Sequence, residues 1–144
     1  MEIYLDNSAT TKPYQEVVDK MVLALTTQYG NPSSIHKKGI EVEREIKEIR
    51  RNIARSLGAK ENEIYFTSGG TECNNTIIRS VARLNKKTKN HIISTVIEHP
   101  SVLDTLKDLE SEGFEVTYLP VDKDGKISIE DLKNAIKKET ILVS

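Results

Sequence analysis

Apolar positions along this chain change rhythm repeatedly. Short runs rich in β-branched and aromatic residues, which suit a pleated and packed surface, occur at residues 3–5, 64–67, 91–97, 115–121 and 141–143. Longer stretches between them have helical spacing. Val42, Ile46, Ile49, Ile53 and Leu57 follow one another at intervals of four, three, four and four, which gathers them on one helical face opposite Glu, Lys and Arg. That stripe is expected to pack on a sheet. Val17/Met21/Leu25, Cys73/Ile77/Val81/Leu84, Val102/Leu106/Leu109 and Ile129/Leu132/Ile136 mark further helices by the same spacing. Strands and helices in alternation predict a layered α/β fold with a mainly parallel sheet and flanking helices.

Punctuation agrees with these elements. Gly58 and Gly113 follow helical stretches, where a residue free to take positive φ ends a helix at little cost. Pro100 suits a first helical turn, and Ser128 with Asp131 resembles a helix-start cap. Asp122-Lys123-Asp124-Gly125 reads as a turn, because its glycine and the following glutamate are misplaced for an EF-hand. Residues 85–90 read as a solvated loop, and the sequence has no internal repeat. Residues 141–144 read as the opening of a buried strand, so the chain is expected to be part of something longer or to be completed by another chain.

Composition narrows the function classes. At 144 residues the chain can bury an ordinary core, and its single cysteine excludes an internal disulfide. With 21 Lys+Arg against 22 Asp+Glu the net charge is −1, which supplies no electrostatic reason for a nucleic-acid partner. No apolar run approaches the ~20 residues that span a bilayer, and Met1-Glu2-Ile3-Tyr4-Leu5-Asp6 is unlike a signal peptide. A soluble, cytoplasmic protein is the expectation.

Candidate chemistry gathers after two of the strand-like runs. Ser68-Gly69-Gly70-Thr71-Glu72 lies between 64–67 and the following helix. Glycines let backbone approach a ligand, and the free N–H groups and dipole of a helix start favour an anion. The motif is neither a P-loop nor a dinucleotide fingerprint. A tight turn capped by Thr71 is the structural alternative. Glu98-His99-Pro100-Ser101 follows the next strand, and parallel strand ends share one edge, so His99 is expected near the glycines. Its imidazole would stack on a flat ring or move protons; a helix cap or a structural histidine is the alternative. Asp6-Asn7-Ser8-Ala9-Thr10-Thr11 and Tyr29-Gly30-Asn31-Pro32-Ser33-Ser34-Ile35-His36 are polar, turn-rich loops that capping and turn chemistry explain. Cys73, spaced with Ile77 and Val81, reads as a small core residue.

In this order the segments resemble the N-terminal part of NifS/IscS-type cysteine desulfurases, which are class V aminotransferases of pyridoxal phosphate fold type I. The likeness runs through Tyr4–Thr11, Tyr29–Ser34 with His36, Phe66–Glu72 with Asn74-Asn75, Ile97–His99, Gly113–Val116 and Thr140–Ser144. It implies that pyridoxal 5'-phosphate is the cofactor, that Gly70 and Thr71 bind its phosphate, and that His99 stacks on its ring and assists proton transfers. It further implies that residues 1–13 belong with a small domain and 14–144 form part of the large, cofactor-binding domain. The loops at 6–11 and 31–36 would border the active-site region.

The family's Schiff-base lysine, persulfide cysteine and substrate-binding arginine have no match in these residues, so the chain is expected to be inactive alone. The complete enzyme implied would convert L-cysteine to L-alanine and an enzyme persulfide, supplying iron–sulfur or thiolation pathways through acceptor or scaffold proteins. A homo-oligomer is expected. Two alternatives are a truncated, non-catalytic paralogue serving as an anion-binding or self-associating scaffold, and part of another class V enzyme.

Overall fold

The computed structural model describes residues 3–86 and 89–144. Met1 and Glu2 of the opening hexapeptide, and Lys87 and Thr88 of the expected loop at 85–90, lie outside the described residues. The backbone divides into two compact units, Met1–Tyr65 and Phe66–Ser144.

The first unit carries helices α1 (Gln15–Thr26) and α2 (Lys37–Leu57), then a 3-10 turn at Glu61–Glu63. α2 starts at His36, whose side chain accepts a hydrogen bond from the Gly39 amide, and stops at Gly58, which takes the left-handed conformation with φ 64°. Arg51 then ties the helix to the 3-10 turn through Glu61, at 3.0 Å, and also pairs with Glu48. Among the described residues of this unit no strand forms, so the α2 stripe meets no sheet within it. Val17, Met21 and Leu25 on α1 are exposed as well.

Two expected strands are absent, and at each a local group engages part of the backbone that a ladder would use. The Tyr4 carbonyl accepts from Asn7 Nδ2, and the Asp6 carbonyl accepts from the Ala9 and Thr10 amides, so residues 3–5 lead into a turn. At 64–67 the Ile64 amide donates to the Glu61 carbonyl, while the Ile64 carbonyl accepts from Arg50 Nε. Tyr65 and Phe66 are largely exposed.

The second unit holds α3 (Gly70–Asn85), β1 (His91–Thr95), α4 (Pro100–Ser111), β2 (Glu115–Leu119), α5 (Ile129–Ala135) and β3 (Thr140–Val143). The strands form one parallel sheet in the order β2-β1-β3. His91 to Ser94 of the central strand are buried, as a strand covered on both faces requires. Ile92 joins Ile78 and Ala82 of α3, Val102, Leu106 and Leu109 of α4, and Phe114 in one core. Helix α3 therefore packs through a stripe one residue beyond the expected one: Ile77 and Leu84 are exposed. Adjacent isoleucines at 77 and 78 lie about 100° apart on a helix, and only contact with the sheet decides between them.

The helix boundaries fall where the local chemistry directs. Gly113 has φ 94°, Pro100 opens α4, and the Ser128 hydroxyl accepts from the Asp131 amide at 3.1 Å. Residues 122–126 form the expected turn, with Asp122 Oδ1 accepting from the Asp124 and Lys126 amides.

Candidate functional site

The glycine segment opens α3. Gly69 is the residue before the helix, and the Cys73 amide closes the first turn on its carbonyl at 3.1 Å. The amides of Gly70, Thr71 and Glu72 thus belong to the set that helix geometry leaves without an intrahelical partner. Thr71 lies inside the helix and caps nothing, contrary to the turn-and-cap alternative. Nor does the turn demand glycine: Gly69 has φ 165°, extended backbone open to any residue. A Cβ added at Gly69 or Gly70 would meet no atom within 4 Å. The glycines leave bare, accessible backbone in front of a helix N-terminus.

Ser68 is engaged before any ligand arrives. Its amide and its hydroxyl both donate to Glu72 Oε2, at 2.6 and 2.7 Å. These two bonds hold the Glu72 carboxyl below the usual carboxylate range. The donors that remain at the helix start are the three amides and the Thr71 hydroxyl.

His99 caps α4. Its Nδ1 accepts from the Ser101 amide at 3.1 Å and lies 2.9 Å from the Ser101 hydroxyl. The same hydroxyl is reached from α3, because Asn74 Nδ2 donates to Ser101 Oγ at 2.9 Å. One turn further along, the Thr105 hydroxyl contacts Asn75 Oδ1 at 2.9 Å, and Arg79 pairs with Asp108 at 2.7 Å. These side chains bind the first turns of α3 and α4 together, so the glycine segment and His99 lie at the same end of two packed helices. Sequence reasoning reached that neighbourhood through shared strand ends. The structure reaches it through Asn74 and Ser101, which carried no individual role in the sequence reading; the signal available was a polar residue near each helix start.

Cys73 is half-buried. His36 caps α2, and residues 31–36 curl tightly around Gly39: an added Cβ there would lie 2.3 Å from the Ser34 carbonyl oxygen. The 6–11 loop contributes Asn7, Thr10 and Thr11 to an open cavity of about 700 Å³ that Tyr4 and Tyr14 also line. Among the described residues no cluster of His, Cys, Asp or Glu could hold a metal ion, and no helix is long and apolar enough to cross a membrane.

Comparison with known proteins bears on this arrangement. A cysteine desulfurase IscS of Clostridium botulinum is 48% identical over 99% of this chain, which spans 36% of that protein. A solved structure described as a NifS-like protein superposes with a TM-score of 0.94 at 41% identity, over 99% of this chain and 39% of the other. One described as SspA in complex with cysteine reaches 0.87 at 38% identity, over 94% and 39%. The chain thus spans little more than a third of the relatives it matches. The family profile of class-V aminotransferases matches residues 3–144, and with the parallel sheet and helix-start site already described, the chain belongs to the aminotransferase class-V family.

Proposed function

We propose that this chain is the N-terminal portion of a pyridoxal phosphate-dependent cysteine desulfurase, with residues 1–13 allied to a small domain and 14–144 forming part of the large one. The observation that carries the reading is the bare backbone at Gly69 and Gly70, where α3 begins, on the same pair of helix starts as His99. An uncrowded helix N-terminus suits a dianionic phosphate, and a flat imidazole beside it suits an aromatic ring. When bound, the cofactor supplies an electron sink for bonds at the α-carbon of an amino acid.

The chain's own residues have separable tasks. Gly70 and Thr71 would donate amides to the phosphate, the Thr71 hydroxyl would add a donor, and the α3 dipole would reinforce all three. Glu72, by occupying Ser68, keeps the loop before the helix in shape. His99 would stack on the ring and exclude water from one face of it. L-Cysteine is the substrate of the complete enzyme, with L-alanine and an enzyme-bound persulfide as products and sulfur acceptors as partners; the exposed apolar side chains Val17, Met21 and Leu25 support a homo-oligomer.

Pyridoxine 5'-phosphate tests this directly, since it lacks the aldehyde that would react with lysines at random. Added to the ¹⁵N-labelled chain, it is expected to move the amide signals of Gly70 and Thr71 and the ring signals of His99, whereas inorganic phosphate moves the amides alone. Thr71→Val should weaken binding about three- to tenfold, the weight of one hydrogen bond. Signals that stay still at all three residues, or that move only elsewhere, overturn the assignment.

A further inference from the structure

The hydrogen bonds around His99 settle which of its nitrogens carries the proton. The Ser101 amide can only donate, so the Nδ1 atom it reaches at 3.1 Å must be an acceptor. The Ser101 hydroxyl accepts from Asn74 Nδ2, leaving its own proton free to point at the same Nδ1, 2.9 Å away. Two donors therefore converge on Nδ1, and the neutral ring keeps its hydrogen on Nε2. No described residue bonds Nε2. The second capping histidine, His36, makes only the amide bond of this kind, at 3.3 Å.

We propose that Ser101 and Asn74 are positioning residues that hold His99 as the Nε2–H tautomer, so that its exposed nitrogen meets a bound ligand as a hydrogen-bond donor. The consequence for a bound ring rests on the cofactor reading above; the tautomer itself does not.

Long-range ¹H–¹⁵N spectra of the imidazoles in the ligand-free 144-residue chain test the proposal, with only three histidines to assign. The wild type is expected to show the Nε2–H pattern for His99 at alkaline pH. Ser101→Ala should raise the Nδ1–H share about three- to tenfold, the weight of one hydrogen bond, while Ser101→Thr restores the original pattern and His36 stays unchanged in both. Asn74→Asp should act like Ser101→Ala, because a carboxylate would draw the hydroxyl proton away from the ring. Circular dichroism reports whether each variant folds; should Ser101→Ala fail to, the wild-type pattern and Asn74→Asp decide. A mixed tautomer in the wild type, or folded variants with an unaltered His99 pattern, overturns the proposal. Because no ligand is present, that outcome is distinct from a failure of pyridoxine 5'-phosphate to bind.

Discussion

Replacing Thr140 by valine, its near-isostere, should destabilise the second unit well beyond the loss of a surface hydroxyl. Thr140 Oγ1 accepts from the Lys137 amide at 2.8 Å and lies 2.8 Å from His91 Nδ1. Thr140 Oγ1 and His91 Nδ1 therefore share a hydrogen bond, as do His91 Nε2 and Thr117 Oγ1, also at 2.8 Å, each hydroxyl donating or accepting as the ring's tautomer requires. Three neighbouring strands are pinned through one imidazole that is 0% exposed. Valine leaves Nδ1 buried without a partner, which costs about 1–3 kcal/mol, whereas the exposed Lys137 amide turns to water and loses only about 0.5–1 kcal/mol. The expected total is about 1.5–4 kcal/mol, read as a lower urea midpoint at unchanged slope. Thr117→Val removes only one bond and should cost less. A Thr140→Val midpoint within about 0.5 kcal/mol of wild type, the range of an ordinary surface substitution, would refute the pinning argument.

Three further outcomes are expected. Burial, aided by Lys137 and opposed by Glu115 and Glu139, holds the His91 pKa below its ordinary value. Its unfolded form therefore binds protons first as pH falls, so the stability it contributes is complete above about pH 6.5 and is lost below that, through the folded-state pKa. Urea midpoints measured from pH 8 to 5 should show this fall, and it should shrink in His91→Asn. Gly39→Ala would place a methyl 2.3 Å from the Ser34 carbonyl oxygen and 2.6 Å from that of Asn31, both backbone; a loss of about 1–3 kcal/mol is expected in thermal melts of the first unit. On α3, Ile78→Ala should cost about 2–5 kcal/mol and Ile77→Ala under about 1 kcal/mol, and the reverse order would restore the stripe that sequence spacing favoured.

Much of the second unit was legible because its local and long-range signals agree. β1 is apolar and β-branched at 92 and 93 and is buried on both faces; Gly113, Pro100 and Ser128 mark boundaries by backbone chemistry that acts within a turn. Residues 3–5 and 64–67 have the same side-chain character, yet their carbonyls accept from Asn7 and Arg50. Strand propensity measures fit to a pleated surface and says nothing of competition for the backbone. The α3 stripe was misplaced for a related reason: Cys73, Ile77, Val81 and Leu84 have flawless spacing, but Ile78 and Ala82 have it too. A choice between two self-consistent faces is made by the surface they meet.

The site shows where an either-or question about a residue can be wrongly posed. A histidine ahead of a helix invites two competing explanations, cap or ligand-facing group, and His99 is a cap. Capping, however, occupies Nδ1 alone. It leaves the exposed ring's Nε2 without a bond among the described residues, and it fixes the tautomer and orientation that a ligand-facing group requires in advance. His36 caps α2 through the same atom, whereas buried His91 uses both nitrogens on neighbouring strands and has none to spare. The cap that stabilises α4 therefore supports a ligand role for His99 instead of competing with it, and of the three histidines only this one also has a second helix, through Asn74, holding its partner hydroxyl in place.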